Sequence, residues 1–331
     1  MANRVKTFRV LVSTDLGGDP DDIQSLIHLL HYSDVLRLEG IVSSPGPGSS
    51  PDAENIRYWV RRADLDHLRS RGHEALMTEN DVVSIVRQGA LTAMPPKDGN
   101  GTEGSRLIVE RANAADPEGR DRPLWVLAWG SLTDIAQALH DDPGIAEKIR
   151  IYYIGSSNTT NDPASRDYVY DGMKTTWPTL WWIENGILPK FSHDTFRGYY
   201  MGGDQSGEWG NKTFVDSVIR GTGTDHGGEP GRLLGDELPL AAHPGGESGI
   251  LKEGDTPTFL YLLSPVFGGV GDPDDPTVPS WGGRFRRPDP DRFPNYSVDL
   301  DAPAEQCWST INRWRKAYLS HWKTRWQWYD E

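Results

Sequence analysis

Apolar and polar residues alternate along the chain in blocks that read in turn as strands and helices. Phe8 to Ser13 is a short, β-branched apolar run suited to a buried central strand, and a helical pattern opens at Asp21. From Asp21 to Tyr32 the residues Ile23, Leu26, Ile27 and Leu30 form one stripe that packs on a sheet, whereas His28 and His31 lie off it and are expected to face solvent. Leu36 to Val42 reads as a second strand, and helices are expected over 55–62, 79–88 and 104–114. A buried strand ends at Trp129, a helix begins near Leu132 with Ser131 or Thr133 as its cap, and Ile149 to Ile154 is a further strand. Within 177–185, Trp177, Leu180 and Trp181 share one helical face, read as core in preference to a sugar platform. Pro257 stands in the first turn of an apolar helix reaching Leu263. From Glu305 to Tyr329, the residues Trp308, Ile311, Trp314, Tyr318, Trp322 and Trp326 recur at helical spacing, which predicts one continuous helix docked by its aromatic face.

Strands alternating with helices imply an α/β fold: a Rossmann-like, mostly parallel sheet flanked by helices, with its ligand crevice at the carboxyl ends of the strands. One domain over 1–331 is expected, with irregular stretches at 221–249 and 267–298 and a terminal helix within 303–329. The first stretch is too long for an ordinary connection and reads as a lid or insertion.

Charge and composition narrow the class. A formal charge of −14 disfavours nucleic acid and anionic membranes as partners. The single cysteine, Cys307, excludes an intrachain disulfide and a cysteine-based zinc site. No apolar segment approaches the length of a signal core or a membrane span, so a cytoplasmic location is expected. Thirteen tryptophans require either an aromatic core or an aromatic substrate surface.

The chemistry concentrates between the first strand and the first helix, where Asp15, Asp19, Asp21 and Asp22 flank Gly17 and Gly18. A glycine turn there would ordinarily cradle a phosphate, but four carboxylates repel one, and the sequence lacks both the Gly-Lys-Ser/Thr ending and the Gly-x-Gly-x-x-Gly pattern. A hard divalent cation relieves such crowding through oxygen ligands. The alternative is that Asp21 and Asp22 cap the helix while Asp19-Pro20 turns the chain. Asp255 has the same pair of readings, as ligand or as helix cap.

Three separated pieces, the Asp15–Asp22 turn, the run Trp129-Gly130-Ser131-Leu132-Thr133-Asp134-Ile135-Ala136 and the helix start Gly254-Asp255-Thr256-Pro257, together resemble the inosine-uridine-type nucleoside hydrolases. Ser13-Thr14-Asp15-Leu16-Gly17-Gly18-Asp19-Pro20-Asp21-Asp22, the stretch from Glu253 to Leu263, Ser280-Trp281-Gly282-Gly283-Arg284 and Arg313-Trp314-Arg315-Lys316-Ala317-Tyr318 are more similar to the nucleoside-hydrolase-like domain of the cellulose-binding protein family. The resemblance implies a nucleoside-hydrolase-like fold and a calcium site. Its ligands would be Asp15, Asp21 or Asp22, the backbone carbonyl of Trp129 and Asp255, with Asp19 competing for the same role. Asp15 would also accept the proton of the attacking water. Asn158, Asn161 and Asp167 are the nearest candidates for sugar contacts, and Trp209, Trp281 and Arg284 are further substrate candidates. Where those hydrolases carry a histidine before the late aspartate, this chain has Gly254, so His226, taken ahead of His243 and Glu253, is the candidate proton donor.

The activity so implied is calcium-dependent hydrolysis of an N-glycosidic bond in a ribonucleoside-like substrate. An O-glycosidase would be favoured if Trp209, Trp281 and the Trp314–Trp326 face lined the cleft, and a non-catalytic carbohydrate binder is favoured by Gly254. The partner is a small nucleoside or sugar, and a homo-oligomer is compatible with the sequence.

Overall fold

The computed structural model describes residues 7–204, 207–223, 229–237 and 250–331. Seven strands form one parallel sheet: β1 Phe8–Thr14, β2 Leu36–Ser43, β3 Val86–Gln88, β4 Leu124–Ala128, β5 Ile149–Ile154, β6 Trp181–Asn185 and β7 Tyr296–Val298. Their order is β3-β2-β1-β4-β5-β6-β7. Parallel pairing requires a crossover after each strand, and helices on both faces supply it. The chain leaves β1 for β2 on one side and later returns to place β4 on the other, so the crevice where the order reverses opens between β1 and β4.

Strand alternation divides the core in two. Val10, Val12, Trp125 and Leu127 face one layer, with the helices Asp21–Leu30, Pro257–Leu263 and Arg315–Trp326. Leu11, Leu124, Val126 and Ala128 face the other, with Glu103–Asn113, Thr133–Asp141 and Pro163–Thr175. The expected strands at 8–13, 36–42 and 149–154 and helices at 55–62, 104–114 and 257–263 are all present within a residue or two.

Several expectations are corrected. The stretch 177–185 is not helical: Trp181–Asn185 is the interior strand β6, buried on both faces, where an unbroken apolar run mimics a helical stripe. The expected helix at 79–88 stops at Ser84, and Val86–Gln88 pairs with β2. The irregular segment 267–298 ends in β7, whose three residues pair with β6. Neither Ser131 nor Thr133 caps the helix after β4, whose N-cap is Leu132 with no side-chain bond. Within 221–249 a short helix occupies Glu229–Arg232, and much of the remainder lies outside the described residues.

The terminal segment is two helices, Ala304–Asn312 and Arg315–Trp326, followed by a turn at Gln327–Tyr329. Of its aromatic face, Tyr318, Trp322 and Trp326 are buried and Trp308 and Trp314 partly so, and Trp322 and Trp326 pack against His28 and His31, which are fully buried and not solvated. The Trp322 ring stacks on His28 at 3.6 Å, and its indole N–H donates to His31 Nδ1 at 3.0 Å. His31 Nε2 lies 2.8 Å from the Tyr329 hydroxyl, which donates to the Ala63 carbonyl at 2.8 Å. Burial pushes the pKa of both histidines down, holding them neutral. Replacing Trp322 by alanine removes a fully buried ring and strands the His31 acceptor, so unfolding in urea should show a loss of about 3–5 kcal/mol; a loss below about 1 kcal/mol would show that the terminal helix does not close the core.

Candidate active site

The loops leaving β1, β4 and β5 emerge side by side, because Ser13 pairs with Ala128 and Ala128 with Tyr153. They enclose a pocket of about 120 Å³ lined by Asp15, Asp19, Asp21, Asp22, Trp129, Asn158 and Asp255, with Ser156, Phe196, Arg197, Tyr200 and Lys252. A larger cleft of about 470 Å³ opens near the amino ends of the strands, and there the buried Arg9 and half-buried Arg122 are already paired with Glu39 and Asp116.

Each acid is held in place by its neighbours. Asp15 directly follows β1 and lies so close to the Gly46 backbone that a Cβ at Gly46 would come within 1.6 Å of Asp15 Oδ2. Asp22 Oδ1 accepts a short hydrogen bond from the Thr14 hydroxyl. Asp19 Oδ1 accepts from the Asp21 amide at 3.2 Å, and the helix start uses no side-chain cap. Asp255 arrives from the far end of the sequence on a turn whose Lys252 and Glu253 amides donate to Gln24 Oε1 at 2.8 and 3.2 Å. Glu253 then accepts from His28 Nδ1 at 2.7 Å, and the Thr256 hydroxyl lies 3.0 Å from that of Ser25. Gln24, Ser25 and His28 belong to the helix that begins with Asp21 and Asp22, so a single helix fixes Asp255 relative to both.

Oxygen atoms of Asp21, Asp22 and Asp255 come within 4.8 Å of one another. Burial, then the charge of Asp21, pushes the Asp15 carboxyl up to about 8. Burial and neighbouring aspartates raise Asp21, Asp22 and Asp255 as well. Asp19 behaves oppositely: against partial loss of water, hydrogen bonding with Asp21 and the Lys252 ammonium hold it down to about 2. Asp255 Oδ2 is buried with no hydrogen-bond partner among the described residues. An all-oxygen set of buried carboxylates with an orphaned oxygen fits a hard divalent cation, and fits a thiophilic metal poorly.

The other expected residues divide. Trp129 lines the pocket, and its carbonyl accepts from Asn158 Nδ2 at 2.6 Å, so Asn158 orients the carbonyl expected to be a ligand. Asn161 turns away to the Ser131 hydroxyl at 3.0 Å. Trp281 is buried in the core, Trp209 packs against the core's edge near Lys323, and Arg284 reaches the Thr277 carbonyl. None of these four lines the pocket. Glu253 is committed to His28 and Thr256, while His226 and His243 lie outside the described residues. The sequence reading missed Ser156, Phe196, Arg197, Tyr200 and Lys252. Arg197 donates to Asp194 Oδ2 and to the Tyr200 hydroxyl, both at 2.8 Å, an arrangement that no local motif announces.

Comparison with known proteins bears on the family and the fold. The model of the family described as "Cellulose-binding Sde182, nucleoside hydrolase-like domain" matches residues 9–285. A nucleoside hydrolase-related hypothetical protein from Saccharophagus degradans, associated with carbohydrate metabolism, superposes with a TM-score of 0.68 at 22% identity, over 98% of this chain and 72% of that one. The plant nucleoside hydrolase PpNRh1 gives a TM-score of 0.51 at 14% identity, over 94% and 99% of the two chains. The type III effector protein XopQ, complexed with adenosine diphosphate ribose, gives 0.50 at 15% identity, over 97% and 95%. No curated protein sequence matches. Identities this low establish a shared fold alone, whereas the family model covers most of the chain, from β1 to beyond the Asp255 turn. The chain belongs to the cellulose-binding Sde182 family of nucleoside hydrolase-like domains.

Proposed function

We propose that the protein is a calcium-dependent glycosidic-bond hydrolase acting on an N-ribosyl compound of the ribonucleoside type, with Asp15 as general base. The observation that carries this reading is the convergence of Asp15, Asp21, Asp22 and Asp255, from opposite ends of the chain, on one pocket at the switch point of the sheet. Two structural relatives support the substrate class by their names, one a nucleoside hydrolase and the other a complex with adenosine diphosphate ribose.

Asp21, Asp22 and Asp255, with the Trp129 carbonyl, would hold the cation. When bound, calcium supplies a fixed positive charge that anchors the vicinal hydroxyls of a furanose and a nearby water. Asp15, on the pocket wall beside these acids, would accept the proton of an attacking water once the cation's charge holds its carboxyl ionised. The surrounding carboxylates stabilise the positive charge that develops on the sugar as the glycosidic bond breaks. His226 is the proposed donor to the leaving group.

A second reading, non-catalytic carbohydrate binding, is favoured by Gly254 and by the family's description as cellulose-binding. An O-glycosidase loses its expected support, because Trp281, Trp322 and Trp326 are core residues. Screening inosine, uridine and cellulose with and without a chelator separates the two classes: hydrolysis of a nucleoside that stops when calcium is removed supports the enzyme, and retention on cellulose with no turnover supports the binder.

Asp15→Asn should lower turnover by about 10²-fold or more with an unchanged circular dichroism spectrum; near-normal turnover would remove Asp15 from the base role. Asp255→Ala should reduce bound calcium in elemental analysis, and unaltered stoichiometry would reject it as a ligand. The pH dependence has a definite sign. A carboxyl raised from 3.8 to about 8 in the folded state favours the protonated form, so its contribution to stability is full below the lower value and is lost as pH rises through the upper one. Thermal unfolding without calcium should therefore fall in midpoint between about pH 4 and pH 8, and added calcium should restore the upper end; a midpoint that rises across this window would contradict the burial of these acids.

A further inference from the structure

Two cationic side chains line the pocket, and they are held differently. Arg197 is committed to Asp194 and the Tyr200 hydroxyl, both outside the group of three clustered carboxylates. Lys252 instead reaches into the acidic wall: its ammonium hydrogen-bonds Asp19 Oδ2 and lies 3.6 Å from Asp21 Oδ2. Asp21 is one of the three acids whose oxygens cluster.

The backbone brings Lys252 there. Its amide is pinned to Gln24 Oε1, which sets the residue over the amino end of the helix that carries Asp21 and Asp22. The next-but-one residue, Gly254, presents no side chain, and a Cβ there would lie 3.0 Å from Asp21 Oδ2. Asp21 thus belongs both to the lysine's surroundings and to the cluster of three acids. A lysine is a point charge on a flexible stem, tethered to the site at a fixed high effective concentration.

Resting on the cation reading above, we propose that Lys252 is a resident counter-cation that competes with the divalent ion for Asp19 and Asp21 and thereby sets the affinity of the site. Asp19 is the contested carboxylate: paired with Lys252 in the absence of the ion, and released to the ion only when the ammonium leaves. A divalent ion entering the pocket meets a like charge within a few ångströms in partly desolvated surroundings, and its binding is weakened by that repulsion as well as by the occupied ligand.

Calcium titrations by calorimetry on the full chain test this with wild type, Lys252→Met and the double variant Asp19→Asn/Lys252→Met. Methionine keeps the length of the stem and removes the charge. Lys252→Met should bind calcium about tenfold tighter than wild type, and Asp19→Asn added to it should reverse most of that gain. Unchanged or weaker binding by Lys252→Met, with its melting temperature preserved, overturns this inference while leaving the cation reading in place. A gain that survives Asp19→Asn overturns the assignment of Asp19 as the contested ligand. Absence of calcium binding in all three proteins overturns both this inference and the reading on which it rests.

Discussion

Like charge crowded at one point is the constraint on which this molecule turns. Two unit charges about 4 Å apart repel by about 4 kcal/mol at an effective dielectric constant of about 20, and five aspartates line the pocket at the sheet's switch point. Such a group persists in a folded protein only with protons, a fixed cation or a bound ion among its members. The surroundings of the acids favour the first and supply the second. Asp15, Asp21, Asp22 and Asp255 are pushed toward their protonated forms, and Lys252 neutralises Asp19. The orphaned Asp255 oxygen is where the proposed ion would add the third.

The fold holds the acids together through a few fully buried polar contacts. One helix presents Asp21 and Asp22 at its start and, one to two turns later, Gln24, Ser25 and His28, which grip the turn carrying Asp255. Glu253, which bonds His28, has a left-handed backbone, φ +33°, a conformation that non-glycine residues adopt rarely. His28 is in turn stacked on Trp322 of the terminal helix, which also donates to His31, so the aromatic end of the chain braces the helix that carries Asp21 and Asp22. The terminal tryptophans serve as walls behind the site and not as platforms within it.

Much of this was legible in the sequence, and the failures have physical causes. The Asp15–Asp22 turn could be read because strand, glycines and carboxylates are contiguous. Asp255 could be placed with it only through family resemblance, since no local rule connects residues so far apart. Patterning failed at β6, where a strand buried on both faces carries no alternation, and at 79–88, where one apolar run serves first a helix and then a strand. It failed for His28 and His31 because a polar ring off the stripe reads as solvated unless its partners, Glu253, Trp322 and Tyr329, are known. Arg197 and Tyr200 reach the pocket from a loop organised by Asp299, which accepts from the amides of Gly186, Ile187 and Thr195. That clasp spans more than a hundred residues and leaves no local signature.

The most direct test of the central claim counts protons and calcium together. Calorimetric titration of calcium at pH 7, in two buffers of different ionisation enthalpy, reports both the stoichiometry and the protons released. Raised carboxyls that must ionise to bind predict one ion per chain with a net release of protons. Saturable binding without proton release, or no saturable binding, would contradict the account.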